Sequence, residues 1–90
     1  MPSFLVETYL ARGATGERLA RERSARSAAE AMTGAGTPVR FAGSIHVPED
    51  EICFFTIEAP SAQAATLVAE RAGLGALRVV EAIPSGKEQL

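Results

Sequence analysis

The chain predicts an α+β domain with element order β-α-β-β-α-β: one four-stranded antiparallel sheet carrying both helices on one face. Three observations carry this reading. Short β-rich runs at both ends and in the middle of the 90 residues flank two Ala-rich stretches of helical composition. Glycines stand at the ends of both helical stretches (Gly34, Gly36, Gly73). The two β-α-β halves meet at a tight acidic turn, Pro48-Glu49-Asp50-Glu51, too short for anything but a hairpin.

The elements follow in order. Residues 3–11 alternate as a strand, with Phe4, Val6, Thr8 and Leu10 on one side and Leu5, Glu7, Tyr9 and Ala11 on the other. Thr15 is a candidate N-cap for a helix running to Thr33, with Ala25, Ala28, Ala29 and Met32 as its apolar face. That face extends back through Arg18 and Arg21. These side chains either run their stems along the sheet rim to water or clamp an anion. Residues 38–47 read as the second strand. Gly43 predicts a bulge that could turn His46 over, and Pro48 suits an edge. Residues 51–58 hold the densest apolar run, Ile52-Cys53-Phe54-Phe55, which belongs at the centre of a sheet or under a partner. Pro60 and Ser61 open the second helix, and Ala64, Leu67, Val68 and Ala72 follow at helical spacing. Residues 77–83 form the last strand, and 85–90 a mobile polar tail behind a single domain of residues 1–84. Right-handed crossovers place strands one and three in the middle, the ferredoxin-like arrangement.

Composition narrows the function classes. Hydrophobic residues make up 47% and charged residues 22%, an ordinary globular balance. A net charge of −2 argues against nucleic acid, whose phosphates need a clustered basic surface. No apolar run approaches the ~20 residues that span a bilayer, and the start Met1-Pro2-Ser3-Phe4 has no basic leader, so a cytoplasmic protein is expected. Cys53 is the single cysteine, which excludes an intrachain disulfide and an all-cysteine zinc site.

Three stretches resemble a family of small bacterial ferredoxin-like proteins of mostly unknown function, labelled nickel-binding-protein-like. They are Phe4-Leu5-Val6-Glu7, Cys53-Phe54-Phe55 with Glu58-Ala59-Pro60-Ser61-Ala62, and Arg71-Ala72-Gly73-Leu74. The resemblance runs over roughly residues 2–83 and implies a ferredoxin-like fold and a homodimer. The family's nickel label rests on histidine-rich members, whereas this chain has His46 alone.

The face away from the helices is then the candidate site. Alternation gives it Leu5, Glu7 and Tyr9; Arg40, Ala42, Ser44 and His46; Ile52, Phe54, Thr56 and Glu58; and Val79 with Glu81. A sheet face open to water does not need Phe54 and Ile52, so these two are assigned to a dimer interface of the dimeric α+β barrel type. Glu7, Tyr9, Arg40 and Glu58 are assigned to a polar cavity between the paired sheets, holding a small molecule. Glu7 and Glu58, with Glu81, are expected close enough to repel. No metal site and no cofactor are assigned. The competing readings are a cofactor-independent enzyme using one carboxylate as general base, and a nickel-binding protein as in the resembled family. Cys53 is expected to be buried and inert, since no partner for a nucleophile is identifiable from spacing.

Overall fold

The computed structural model describes residues 1–83; the polar tail assigned to 85–90 lies outside them. The elements are β1 (Ser3–Tyr9), α1 (Thr15–Gly34), β2 (Arg40–Val47), a 3-10 turn (Pro48–Asp50), β3 (Ile52–Glu58), α2 (Ala62–Ala72) and β4 (Ala76–Ala82). The sheet order is β2-β3-β1-β4, antiparallel throughout, with β1 and β3 central. This is the ferredoxin-like α+β fold. The β2–β3 turn closes on Glu51 in a left-handed conformation (φ 53°), with its N–H bonded to the Pro48 carbonyl.

Strand alternation builds one filled face. Phe4, Val6, Phe41, Cys53, Phe55 and Ile57 are all buried beneath the helices, joined by Leu10 and by Thr8, whose hydroxyl donates to the Cys53 carbonyl at 2.9 Å. α2 contributes Ala64, Ala65, Val68 and Ala69. Small residues let its backbone approach the sheet closely. Ser61 is its N-cap and accepts from Ala64 N–H at 3.1 Å, while Gly73 (φ 67°) takes the left-handed position that ends it.

α1 is built differently. Only Ala25, Ala29 and Met32 of its 20 residues are buried, and none precedes Ala25. Thr15 is its first helical residue and not its cap; Ala14 holds that position with no side-chain bond. The missing cap forgoes about 1 kcal/mol, and Gly16 in the first turn costs roughly another relative to alanine. At its other end Thr33 pins the return to β2, donating to the Val39 carbonyl at 2.9 Å and accepting from Val39 N–H at 3.1 Å.

Candidate functional site

Register decides what the bare face carries. β1 against β3 sets Glu58 opposite Ser3, Thr56 opposite Leu5, Phe54 opposite Glu7 and Ile52 opposite Tyr9. β2 joins with a bulge between Phe41 and Gly43, after which Gly43 faces Thr56, Ser44 faces Phe55, Ile45 faces Phe54, His46 faces Cys53 and Val47 faces Ile52. One extra residue turns every later side chain over. Ser44 and His46 therefore lie on the helix face, and Ile45 and Val47 replace them on the bare one. The assignment of Ser44 to the bare face is corrected, and the possible inversion of His46 is realised.

β4 also runs in the opposite phase to the one expected. Val79 pairs with Val6 and packs against the core, and Glu81 pairs with Phe4. Arg78, opposite Glu7, and Val80, opposite Leu5, are the residues on the bare face. The carboxylate cluster of Glu7, Glu58 and Glu81 does not form. Glu81 faces the other way. Glu7 and Glu58 sit four residues apart along the strands, about 13 Å at the usual strand rise.

Each remaining carboxylate has its own cation. Arg40 grips Glu58 with two parallel bonds, Nε to Oε1 and Nη2 to Oε2, both 2.9 Å. The fork holds the Glu58 carboxyl below the usual carboxylate range, against the opposing pull of partial burial, and raises the guanidinium's own pKa. Across the sheet, Arg78 Nε donates to Glu7 Oε1 at 2.7 Å. Of the four residues assigned to the cavity, then, Arg40 and Glu58 are brought together. Glu7 lies towards the opposite edge, and Tyr9 stands more than half exposed at the strand end, its hydroxyl 3.5 Å from Glu51.

The same face carries six apolar residues: Leu5 beside Val80, and Ile45, Phe54, Val47 and Ile52 on β2 and β3 towards their shared turn. Ile45 is 58% exposed. Alternation alone found Leu5, Ile52 and Phe54 and missed the other three. Arg78 was the available signal for β4, since a cation opposite Glu7 suits a cross-strand pair where Val79 opposite Glu7 does not. Gly43 and Thr56 stand side by side between the Ile45–Phe54 pair and the Arg40–Glu58 pair, with open space where a Gly43 side chain would be. Gly43 has φ 153°, a conformation that side chains resist.

Other sequence-flagged residues sit on the helix face. Arg18 donates from Nε to Ser44 Oγ at 3.0 Å and from Nη2 to the Ser44 carbonyl at 3.2 Å. Arg21 donates from Nη1 to the Tyr9 carbonyl at 2.9 Å and pairs with Glu17. Both reach back onto the strands and neither grips a free anion. Among the described residues, no group of three or more His, Cys, Asp or Glu side chains is placed to hold a metal ion, and no helix is long and apolar enough to cross a membrane.

No family model matches the chain, and no curated protein matches it. The fold is similar to the crystal structure of SCO4226 from Streptomyces coelicolor A3(2), with 27% identity over 93% of this chain and 99% of that one, at a TM-score of 0.69.

Proposed function

We propose that the chain works as a homodimeric binding domain, two sheets paired through their bare faces with a small molecule held between them. The observation behind this reading is six large apolar residues, Ile45 exposed and the other five half-buried, on a face that the two helices do not reach. Contiguous exposed apolar surface with a polar rim is the usual mark of an association site. A second copy suits it better than a charged partner, because the face is self-complementary in charge. Arg40 with Glu58 and Arg78 with Glu7 leave it neutral, so a twofold-related copy meets no like-charge penalty. The missing side chain at Gly43, beside Thr56 and between the Ile45–Phe54 and Arg40–Glu58 pairs, is where paired sheets would leave space. Glu7 and Tyr9 lie further along β1, towards the other end of the face.

A carboxylate general base has less behind it. Such a base needs a raised pKa, and Glu58 is held low by Arg40. Kinship with the small bacterial ferredoxin-like proteins that its motifs resemble, and a cytoplasmic setting, belong to the same proposal.

Phe54→Glu tests the pairing. The charge would be buried in an apolar contact, and light scattering should show a monomer that keeps its native circular dichroism. A dimer that survives Phe54→Glu places the interface elsewhere. Native mass spectrometry of freshly purified, tag-free protein tests the ligand: a retained small molecule supports the cavity, and a bare dimer at every concentration counts against it. Calorimetry with nickel should show nothing tighter than about micromolar, roughly −8.2 kcal/mol.

A further inference from the structure

Register sorts the bare face into four rows. From the end where β1 starts they run Arg40–Glu58–Ser3–Ala82, Gly43–Thr56–Leu5–Val80, Ile45–Phe54–Glu7–Arg78 and Val47–Ile52–Tyr9. β2 and β3 therefore carry, in sequence, an ion pair, a gap and two apolar pairs. β1 and β4 carry their own ion pair, Glu7 with Arg78, in the row of Ile45 and Phe54. The face has two unlike halves, and that limits how a second copy can lie on it.

A homodimer through this face is isologous, so its twofold axis runs between the two sheets and parallel to them. In the aligned class of sheet packing the axis runs either along the strands or across them. Along the strands at mid-sheet, between β3 and β1, it lays Phe54 on the partner's Glu7 and Ile45 on the partner's Arg78. Charged groups are then shut under apolar side chains, which costs several kcal/mol per ion. Across the strands at mid-length, it lays Arg40 on the partner's Val47 and Glu58 on the partner's Ile52, with the same penalty. Moved towards the β2–β3 turn, that axis keeps the apolar pairs together but leaves Arg40 and Glu58 beyond the end of the partner's sheet. It also presses Arg78 against the start of the partner's β4.

An axis along the strands between β2 and β3 has none of these faults. It lays β2 of each copy over β3 of the other. Ile45 meets the partner's Phe54 and Val47 meets the partner's Ile52, each contact made twice. Gly43, where an added side chain would meet nothing within 4 Å, lies over the partner's Thr56. Arg40 comes over the partner's Glu58, across a spacing of about 10 Å that the two side chains span together. The Arg40 side chain is 64% exposed, so it has surface left to engage a second carboxylate.

We propose that the two copies pair β2 over β3, with Arg40 of each protomer binding the partner's Glu58. This geometry rests on the homodimer reading and adds to it which residues meet. Both copies then line the space at Gly43 and Thr56, so the ligand site is complete only in the dimer. Glu7 and Arg78 stay outside the contact.

The test is charge reversal in the full-length chain, with circular dichroism confirming each fold. Arg40→Glu and Glu58→Arg each set like charges against one another at both twofold-related contacts. Each should raise the dimer dissociation constant at least about tenfold. Mixed in equal amounts, with one chain carrying nitrogen-15, the two variants should pair with each other, since each supplies the charge that the other lacks. Native mass spectrometry should show the mixed dimer as the dominant species. The chain with both reversals restores every contact and should dimerise like wild type. Glu7→Arg reverses a charge outside the contact and should leave the constant nearly unchanged. Single variants that stay dimeric and mix at random overturn the pairing of β2 over β3 and leave the homodimer standing. Single variants that fall to monomers and fail to pair when mixed overturn it too, because the charges then act within one chain. A dimer lost in Glu7→Arg and kept in Arg40→Glu moves the contact to β1 and β4, against the proposal. A wild-type chain that is monomeric at every concentration overturns the homodimer itself, and this geometry with it.

Discussion

Phe54 and Phe55 are neighbours in one strand and meet opposite fates. Phe55 has no exposed surface and packs under the helices with its ring centroid 6.3 Å from that of Phe41; Phe54 lies on the other face with nothing above it. The same comparison holds for the whole sheet. Its helix face is filled by Val6, Leu10, Ile57 and the small side chains of α2. Its bare face carries apolar side chains as well, interspersed with two ion pairs. Both faces carry large apolar side chains; the bare one adds four charged residues and lacks a covering layer. The bare face carries large apolar side chains in the position of a surface, and under the proposed pairing a second copy of the same surface would cover them. The helix face holds a smaller inversion of its own: polar groups fill the space under the first half of α1, where apolar ones are expected.

Breaking the filled face should cost most. Phe55→Ala should destabilise by about 3–5 kcal/mol, as large-to-small core changes do. In a domain this small that is a fall in melting midpoint of well over ten degrees. Phe54→Ala, measured at dilutions where a dimer is dissociated, should cost only about 1 kcal/mol or less. The two faces count as energetically alike, and the comparison fails, if the two variants melt together in dilute solution.

The helix starts give the next effect. Ser61→Ala should cost about 1 kcal/mol, because the Ala64 N–H loses its partner, while Thr15→Ala should cost almost nothing since Thr15 caps nothing. Urea melts of the pair separate the firmly built α2 from the loosely started α1. Similar losses for both would mean that α1 is capped after all.

The smallest effect belongs to the ion pair at the corner of the bare face. Glu58 has a folded pKa below its ordinary value of 4.5, so its pairing stabilises the protein above that pH and fades as the pH falls through the folded pKa. Arg40→Ala should therefore melt slightly below wild type at pH 7 and converge with it in acid, as the Glu58 carboxyl takes up its proton. The pair is solvent-exposed, and exposed pairs contribute little. A large fall at pH 7, in a protein that never retains a ligand, would make Arg40 a structural residue and not part of a binding site.

Element order, the central places of β1 and β3 and the buried side of β1 and β3 were determined by the sequence alone. They rest on local signals: period-two alternation, glycine stops, and a turn too short to be anything but a hairpin. Ile52 and Phe54 were legible as bare-face residues for the same reason. What only the tertiary structure decided is everything that depends on register in the two edge strands. One extra residue at Ala42–Gly43 exchanges Ser44 and His46 for Ile45 and Val47. In β4, Val79 and Val80 are equally apolar, so alternation has no preferred phase, and only the pairing with β1 chooses Arg78 over Glu81. That pairing turns Glu81 away and gives Glu7 its own cation, while the β2 bulge sets His46 opposite Cys53. Periodicity reports which residues share a face; it is blind to a single-residue slip, and a slip of one is all that separates a histidine on the bare face from one on the helix face opposite Cys53.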